Sequence, residues 1–173
     1  MNTKKLTTIA MLTALYVVLA ILAPVRLQNF KFTFEALPIL VAGFLFGSKV
    51  GLSVGTLGCF IYQLCFSGYG LTATTILWIL PHSFSGYLVG SLSEKKQFKL
   101  EKKDILTISL ISCIFVTLLN SLALFIDSKI YGYYSFAIVF ASIPLKILTG
   151  VILAVGYSFI IIPLMNSIDN LKH

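Results

Sequence analysis

Long apolar runs alternate with short polar clusters along all 173 residues. A membrane-spanning helix needs about 20 mostly apolar residues. Six runs read as such helices, at 6–23, 35–46, 50–66, 71–92, 104–126 and 136–168. The second is short, and Gly47-Ser48-Lys49 reads as a tight turn after it. Ser67-Gly68-Tyr69-Gly70 is a second turn by composition. The one extended polar stretch, 93–103, separates the fourth run from the fifth, which Asp104 is placed to N-cap. The sixth run exceeds what a bilayer needs, so it tilts or bends, with Pro144 and Pro163 as the expected bends. The pattern predicts an all-α integral membrane protein: one domain over 1–173, built as a six-helix bundle.

Basic residues orient the bundle. With six helices both termini share a side. Placing them in the cytoplasm puts Lys4, Lys5, Lys49, Lys95, Lys96, Lys99, Lys102, Lys103 and Lys172 inside and only Arg26, Lys31 and Lys129 outside. Lys146 falls within the sixth run. Composition agrees with this reading: 58% of residues are hydrophobic and 11% charged. A soluble domain is about 45–50% apolar and about a quarter charged. The net charge of +7 lies between apolar runs, so topology accounts for it and nucleic-acid binding is not expected. Cys59, Cys65 and Cys113 lie inside apolar runs, form no CxxC pair and are odd in number, which argues against a disulfide framework. The first run follows Lys4 and Lys5 like a signal peptide. It has no small-residue cleavage site before Pro24, so it reads as a first membrane helix.

No catalytic constellation is visible. The two histidines, His82 and His173, cannot form a histidine metal cluster. There is no G-x-S-x-G elbow and no phosphate-binding loop, so no cofactor, metal or ATP site is expected. The outer connections are richer. Arg26, Gln28, Lys31 and Glu35 alternate with Phe30, Phe32 and Phe34, which predicts an extended segment with one aromatic face. Tyr69 lies in the second outer turn. Tyr131, Tyr133 and Tyr134 lie in the third, beside Asp127 and Lys129. Such aromatics suit either an interfacial belt or a small-molecule pocket opening outward. Within the helices, Gln63, Trp78, His82, Asn120 and Lys146 are polar groups that hydrocarbon would penalise, so they should face a cavity or the bundle interior. Trp78 and His82 share a helix face. Asn120 either serves a ligand or bonds a neighbouring helix, and His82 either serves a ligand or a carbonyl freed by Pro81. Lys146 either snorkels or meets a ligand carboxylate. Gly43, Gly47, Gly51 and Gly55 recur every four residues, the spacing of close helix packing, expected between the second and third helices. Ala10-x-x-x-Ala14 is a small-residue face on the first helix.

Six helices in this length, Ala10-x-x-x-Ala14 and the absence of an ATPase resemble the substrate-binding (S) component of an energy-coupling factor (ECF) vitamin transporter. The stretch from Phe34 to Gly47 is similar to the F-x-x-x-P-x-x-x-A-G-x-x-F-G of the folate-family S components. Ser67-Gly68-Tyr69-Gly70, Leu119-Asn120-Ser121-Leu122 and Ile143-Pro144-Leu145-Lys146 resemble that family's third-helix turn, fifth-helix L-N-T-L and P-x-R segment. The resemblance implies a transport subunit of the bacterial plasma membrane, not an enzyme. It would bind a water-soluble vitamin, with folate or a related pterin as the expectation and pantothenate, hydroxymethylpyrimidine or pyridoxine as alternatives. A self-contained small transporter is the further alternative. The resemblance also implies partners: a membrane scaffold (T) subunit docking on Ala10 and Ala14, and two ATPase (A) subunits that hydrolyse ATP. It implies pocket residues Phe34, Glu35, Gly68, Tyr69, Asn120 and Lys146, beside the helix-face pair Trp78 and His82. Glu35 is either a ligand acceptor or the N-terminal carboxylate of the second helix, favoured there by the dipole.

Overall fold

A computed structural model describes residues 3–22, 25–27, 30–32, 34–68 and 70–170. Among them are six α-helices: α1 (Thr3–Leu22), α2 (Ala36–Phe46), α3 (Ser48–Cys65), α4 (Thr75–Lys95), α5 (Lys102–Ile130) and α6 (Ile143–Asn170). A five-residue π-helical turn, Ala137–Ala141, precedes α6. The described parts of the alternating segment after α1 are extended. Strands β1 (Val25–Leu27) and β2 (Phe30–Phe32) pair antiparallel, with Val25 opposite Phe32 and Leu27 opposite Phe30.

Three helical stretches are long and apolar enough to cross a membrane: Thr3–Leu22, Lys102–Ile130 and Ala137–Ser167. Less than a third of each span is buried in the protein. Their outer surfaces carry bare hydrocarbon, with Leu22 79% and Phe159 75% exposed, which is tolerable in lipid and costly in water. The eleven residues of α2 rise only about 16 Å, roughly half the thickness of a bilayer core.

Gly47 alone separates α2 from α3, at φ +89°, a left-handed conformation that glycine adopts without Cβ strain. The glycine stripe continues across this break, and its partner is α4 rather than a contact between α2 and α3 as expected. A Cβ at Gly43 would lie 2.9 Å from Val89 Cγ1. At Gly51 it would strike the Gly86 carbonyl, and at Gly55 the His82 carbonyl. The physical reason is periodicity. Spacing of four keeps one stripe on one face through both helices, and α4 answers it with its own small residues, Gly86 and Gly90. Two hydrogen bonds close the far end of this seam. Ser93 Oγ donates to the Phe44 carbonyl at 2.9 Å, and Glu94 Oε1 accepts from Ser48 N at 2.8 Å. The carboxylate thereby caps the N-terminus of α3 from another helix.

Asp104 is not the N-cap of α5. Glu101 holds that place, and Asp104 is the third helical residue, completing a reciprocal capping box. Asp104 also pairs with Lys96 at 2.7 Å. Two buried clusters fill the bundle. Ile9, Tyr16, Ile39, Val54 and Ile79 join α1 to α4, and Phe44, Val89, Ile108, Tyr157 and Ile161 join α2, α4, α5 and α6.

Candidate functional site

The starts of α2, α4 and α6 and the ends of α3 and α5 gather at one end of the bundle, the rim. A cavity of about 390 Å³ lies below it, within the size range of small-molecule sites. Each flanking helix contributes side chains by its facing. Trp78, His82 and Ser85 succeed one another down one face of α4, and Ser112, Thr117, Asn120 and Leu124 up one face of α5. Lys146, Thr149 and Leu153 line it from α6.

The two walls differ in chemistry. On the α1, α3 and α4 side are the rings of Tyr16, Tyr62, Trp78 and His82. Tyr16 meets His82 edge to face at 5.7 Å between centroids. Tyr16 is 1% exposed and fits because Gly58 opposes it: a Cβ there would come within 2.6 Å of the ring. The α5 and α6 side is polar. Thr117 Oγ1 donates to the Cys113 carbonyl at 2.9 Å and Thr149 Oγ1 to the Lys146 carbonyl at 2.8 Å. Their donors are spent on backbone, so toward the cavity these hydroxyls act as acceptors. Asn120 and Lys146 supply donors on the same side. At the bottom Ser85 Oγ and Ser112 Oγ lie 2.7 Å apart. A flat heteroaromatic molecule would find faces to stack on along one wall and hydrogen-bonding edges along the other.

The structure brings five of the eight nominated pocket residues together: Glu35, Trp78, His82, Asn120 and Lys146 all line this cavity, with Gln63. Glu35 occupies the N-cap position of α2 but makes no side-chain capping hydrogen bond. Phe34 is not in the lining; its ring packs against Tyr157 with centroids 6.3 Å apart. Gly68 stands exposed in its turn at φ +81°, away from the cavity. Tyr69 lies outside the described residues. Tyr16, Tyr62, Thr117 and Tyr157 line the cavity without having been nominated. The signal that singles out Asn120, a polar atom amid an apolar run, is weaker for tyrosine, whose ring is itself apolar. Cys59 and Cys113 also line it, and Cys59 Sγ donates to the Trp78 carbonyl at 3.4 Å.

Ala10 and Ala14 sit elsewhere. They are exposed on α1 and line a shallow apolar groove with Leu6, Thr13, Leu57 and Ile61. Among the described residues no group of three or more His, Cys, Asp or Glu is placed to hold a metal ion.

An apolar helical bundle with an aromatic-walled cavity under one rim defines a membrane protein that binds a small molecule. Residues 1–168 match the family described as "ECF-type riboflavin transporter, S component", and the chain belongs to that family. Its members are transporter subunits, not enzymes. Among solved structures the chain is similar to the S component of a bacterial ECF transporter, with a TM-score of 0.70, 24% identity, and coverage of 97% of this chain and 99% of that one. It is also similar to the S-component for biotin from an ECF-type ABC transporter, with a TM-score of 0.64, 18% identity, and coverage of 92% and 94%. These two likenesses carry the fold. No curated relative matches the chain. The matches lend the folate expectation no support.

Proposed function

We propose that this chain is the riboflavin-binding subunit of an ECF transporter, and that the vitamin sits in the cavity under the rim. The observation that carries the proposal is the family match over residues 1–168. The cavity is consistent with it. An isoalloxazine ring is flat and large enough to lie along Tyr62, Trp78 and His82. Its carbonyl oxygens and ring nitrogens suit Asn120 and Lys146, and the ribityl hydroxyls suit the threonine and serine oxygens of α5 and α6. Folate carries two carboxylates and biotin one, and among the described residues Lys146 is the one lysine or arginine lining this cavity, whereas riboflavin carries no carboxylate.

In this reading the whole chain is one membrane domain with six helices and both termini in the cytoplasm, resident in a bacterial plasma membrane. A T subunit docks on the groove at Ala10 and Ala14, and two A subunits supply ATP hydrolysis. The cavity then opens outward to collect the vitamin.

The test is a titration of purified protein with riboflavin, following quenching of flavin fluorescence, with folate and biotin as competitors. Stacking on the cavity aromatics should quench the flavin at a one-to-one end point, and neither competitor should displace it. Saturable binding of folate without binding of riboflavin would overturn the assignment of substrate.

A further inference from the structure

The seam between α4 and α5 is hydrogen-bonded at two heights, and the cavity lies between them. Below it, Ser85 meets Ser112. Above it, at the rim, Thr74 Oγ1 donates to Asp127 Oδ1. Thr74 is 1% exposed, so its hydroxyl relies on protein partners rather than water: Asp127 accepts from it, and Thr72 Oγ1 lies 3.2 Å away. Asp127 Oδ2 accepts from the hydroxyl of Tyr133, in the connection after α5. One carboxylate therefore joins the start of α4, the end of α5 and the connection leading to α6. That connection is also pinned to α5: Lys129 Nζ lies 3.9 Å from the centroid of the Tyr134 ring, which meets Phe125 edge on at 5.7 Å.

Between the two heights α4 contains Pro81. Proline has no N–H, so the Leu77 carbonyl loses its helical partner and the helix is weakened at that level. Residues 75–80 are thus a short helical segment joined to the rest of α4 at a proline, tied to Asp127 at its outer end and held toward α3 by buried Ile79 and the Cys59 contact with the Trp78 carbonyl. The segment carries Trp78, a wall of the cavity.

We propose that residues 75–80 are the gate of this cavity, hinged at Pro81 and latched by Thr74 on Asp127. Asp127 is a positioning residue. It does not line the cavity, and it holds the segment that carries Trp78 in place. Releasing the latch lets the outer turn of α4 swing away from α5 about Pro81, while the Ser85–Ser112 contact holds the rest of α4 in place, and opens the cavity to solution. As a route for the vitamin, the gate rests on the binding reading above.

The experiment needs no ligand. Cys113 lines the cavity and Cys65 is exposed near the end of α3. Full-length protein is treated with a small water-soluble maleimide, and the labelling rates of the two thiols are read by peptide mass spectrometry, with Cys65 as internal reference. Thr74→Val and Asp127→Ala should each raise the Cys113-to-Cys65 ratio about tenfold, the effect of losing one hydrogen bond to a charged acceptor. Pro81→Ala restores the helical hydrogen bond and should lower the ratio below that of the parent. An unchanged ratio in both latch variants would overturn the gate. So would a Pro81→Ala ratio that rises with them, because general loosening rather than a hinge would then be at work. Riboflavin release from the same variants, followed by fluorescence recovery, should quicken with the labelling ratio. Labelling that responds in a protein that binds no flavin would leave the gate standing and remove riboflavin alone.

Discussion

Replacing Gly86 with alanine probes the contact on which the cavity's aromatic wall is hung. A Cβ at Gly86 would collide with the Gly51 carbonyl and reach 3.0 Å from Ile39 Cγ2. Both obstacles resist displacement: one is helical backbone, and the other belongs to a residue 1% exposed. Carbon atoms pack at about 3.5–4.0 Å, so α3 and α4 would have to part by roughly 1 Å along a seam that other glycines also bring close. Overpacking of this kind costs about 1–3 kcal/mol. Alanine returns up to about 1 kcal/mol through its higher helix propensity, which leaves a net loss of about 0–2 kcal/mol where that gain is realised in full. Gly156 in α6 is the matched control, because a Cβ there meets nothing within 4 Å. Gly156→Ala should keep the propensity gain and stabilise by up to about 1 kcal/mol. The assay is reversible denaturation of purified protein in one detergent, with both variants run beside the parent. A Gly86→Ala variant as stable as Gly156→Ala would refute the close α3–α4 contact, because the two changes are chemically identical and differ only in what the new methyl meets.

Other outcomes follow from the same geometry. Trp78→Ala should weaken riboflavin binding by about 1–3 kcal/mol, the scale of stacking a flat heterocycle on an aromatic side chain, read as a rise in Kd with reduced quenching at saturation. Lys146→Met keeps the aliphatic stem and removes the donor. It should raise Kd about tenfold with the quench at saturation retained, because the aromatic wall is untouched. Ala10→Trp would fill the groove on α1. Vitamin uptake by cells carrying the complete transporter should be lost while the isolated subunit still binds the vitamin, because no residue lines both the groove and the cavity. Glu94→Ala leaves Ser48 N and Oγ without their acceptor and should destabilise the protein by about 1–3 kcal/mol in the same denaturation assay.

The cost of burying polarity in hydrocarbon made much of the cavity legible in the sequence. Trp78, His82, Asn120 and Lys146 stand out because each interrupts an apolar run, and all four line the cavity. Tyr16, Tyr62 and Tyr157 escape the same rule because tyrosine is amphipathic, and a membrane interface explains it equally well. Thr117 and Thr149 escape because a hydroxyl that bonds its own helix backbone is compatible with lipid. The glycine stripe announced close packing but not its partner. Spacing reports a face, whereas the opposing helix depends on how α2 and α3 join at Gly47. The cap of α5 was displaced by three residues because Glu101 and Asp104 both suit a helix N-terminus and only their reciprocal bonding orders them. The vitamin is least legible of all, since rings and amides along a wall describe a flat polar molecule without specifying which one.

The placement of the two concave surfaces bears on how binding and transport can stay separate yet linked. On α1, Ala10, Thr13, Ala14 and Val17 line the groove, while Tyr16 lines the cavity. On α3, Leu57 and Ile61 line the groove, while Cys59 and Tyr62 line the cavity. The two sites therefore lie on different faces of the same helix pair, α1 and α3, where the Tyr16 ring packs against Gly58. Such a contact transmits displacement well, because close-packed groups with no room to rearrange move together. A partner helix seated in the groove would press on Thr13, one turn from Tyr16 on α1, and on Leu57, the residue preceding Gly58 on α3. Any shift there reaches the Tyr16–His82 contact at the cavity wall without passing through the rim. If the proposed gate and docking groove hold, the rim and the α1–α3 wall would bound a ligand in the cavity from two directions: one would control exchange with the solution, and the other would expose the site to a partner docked on the outside of the bundle.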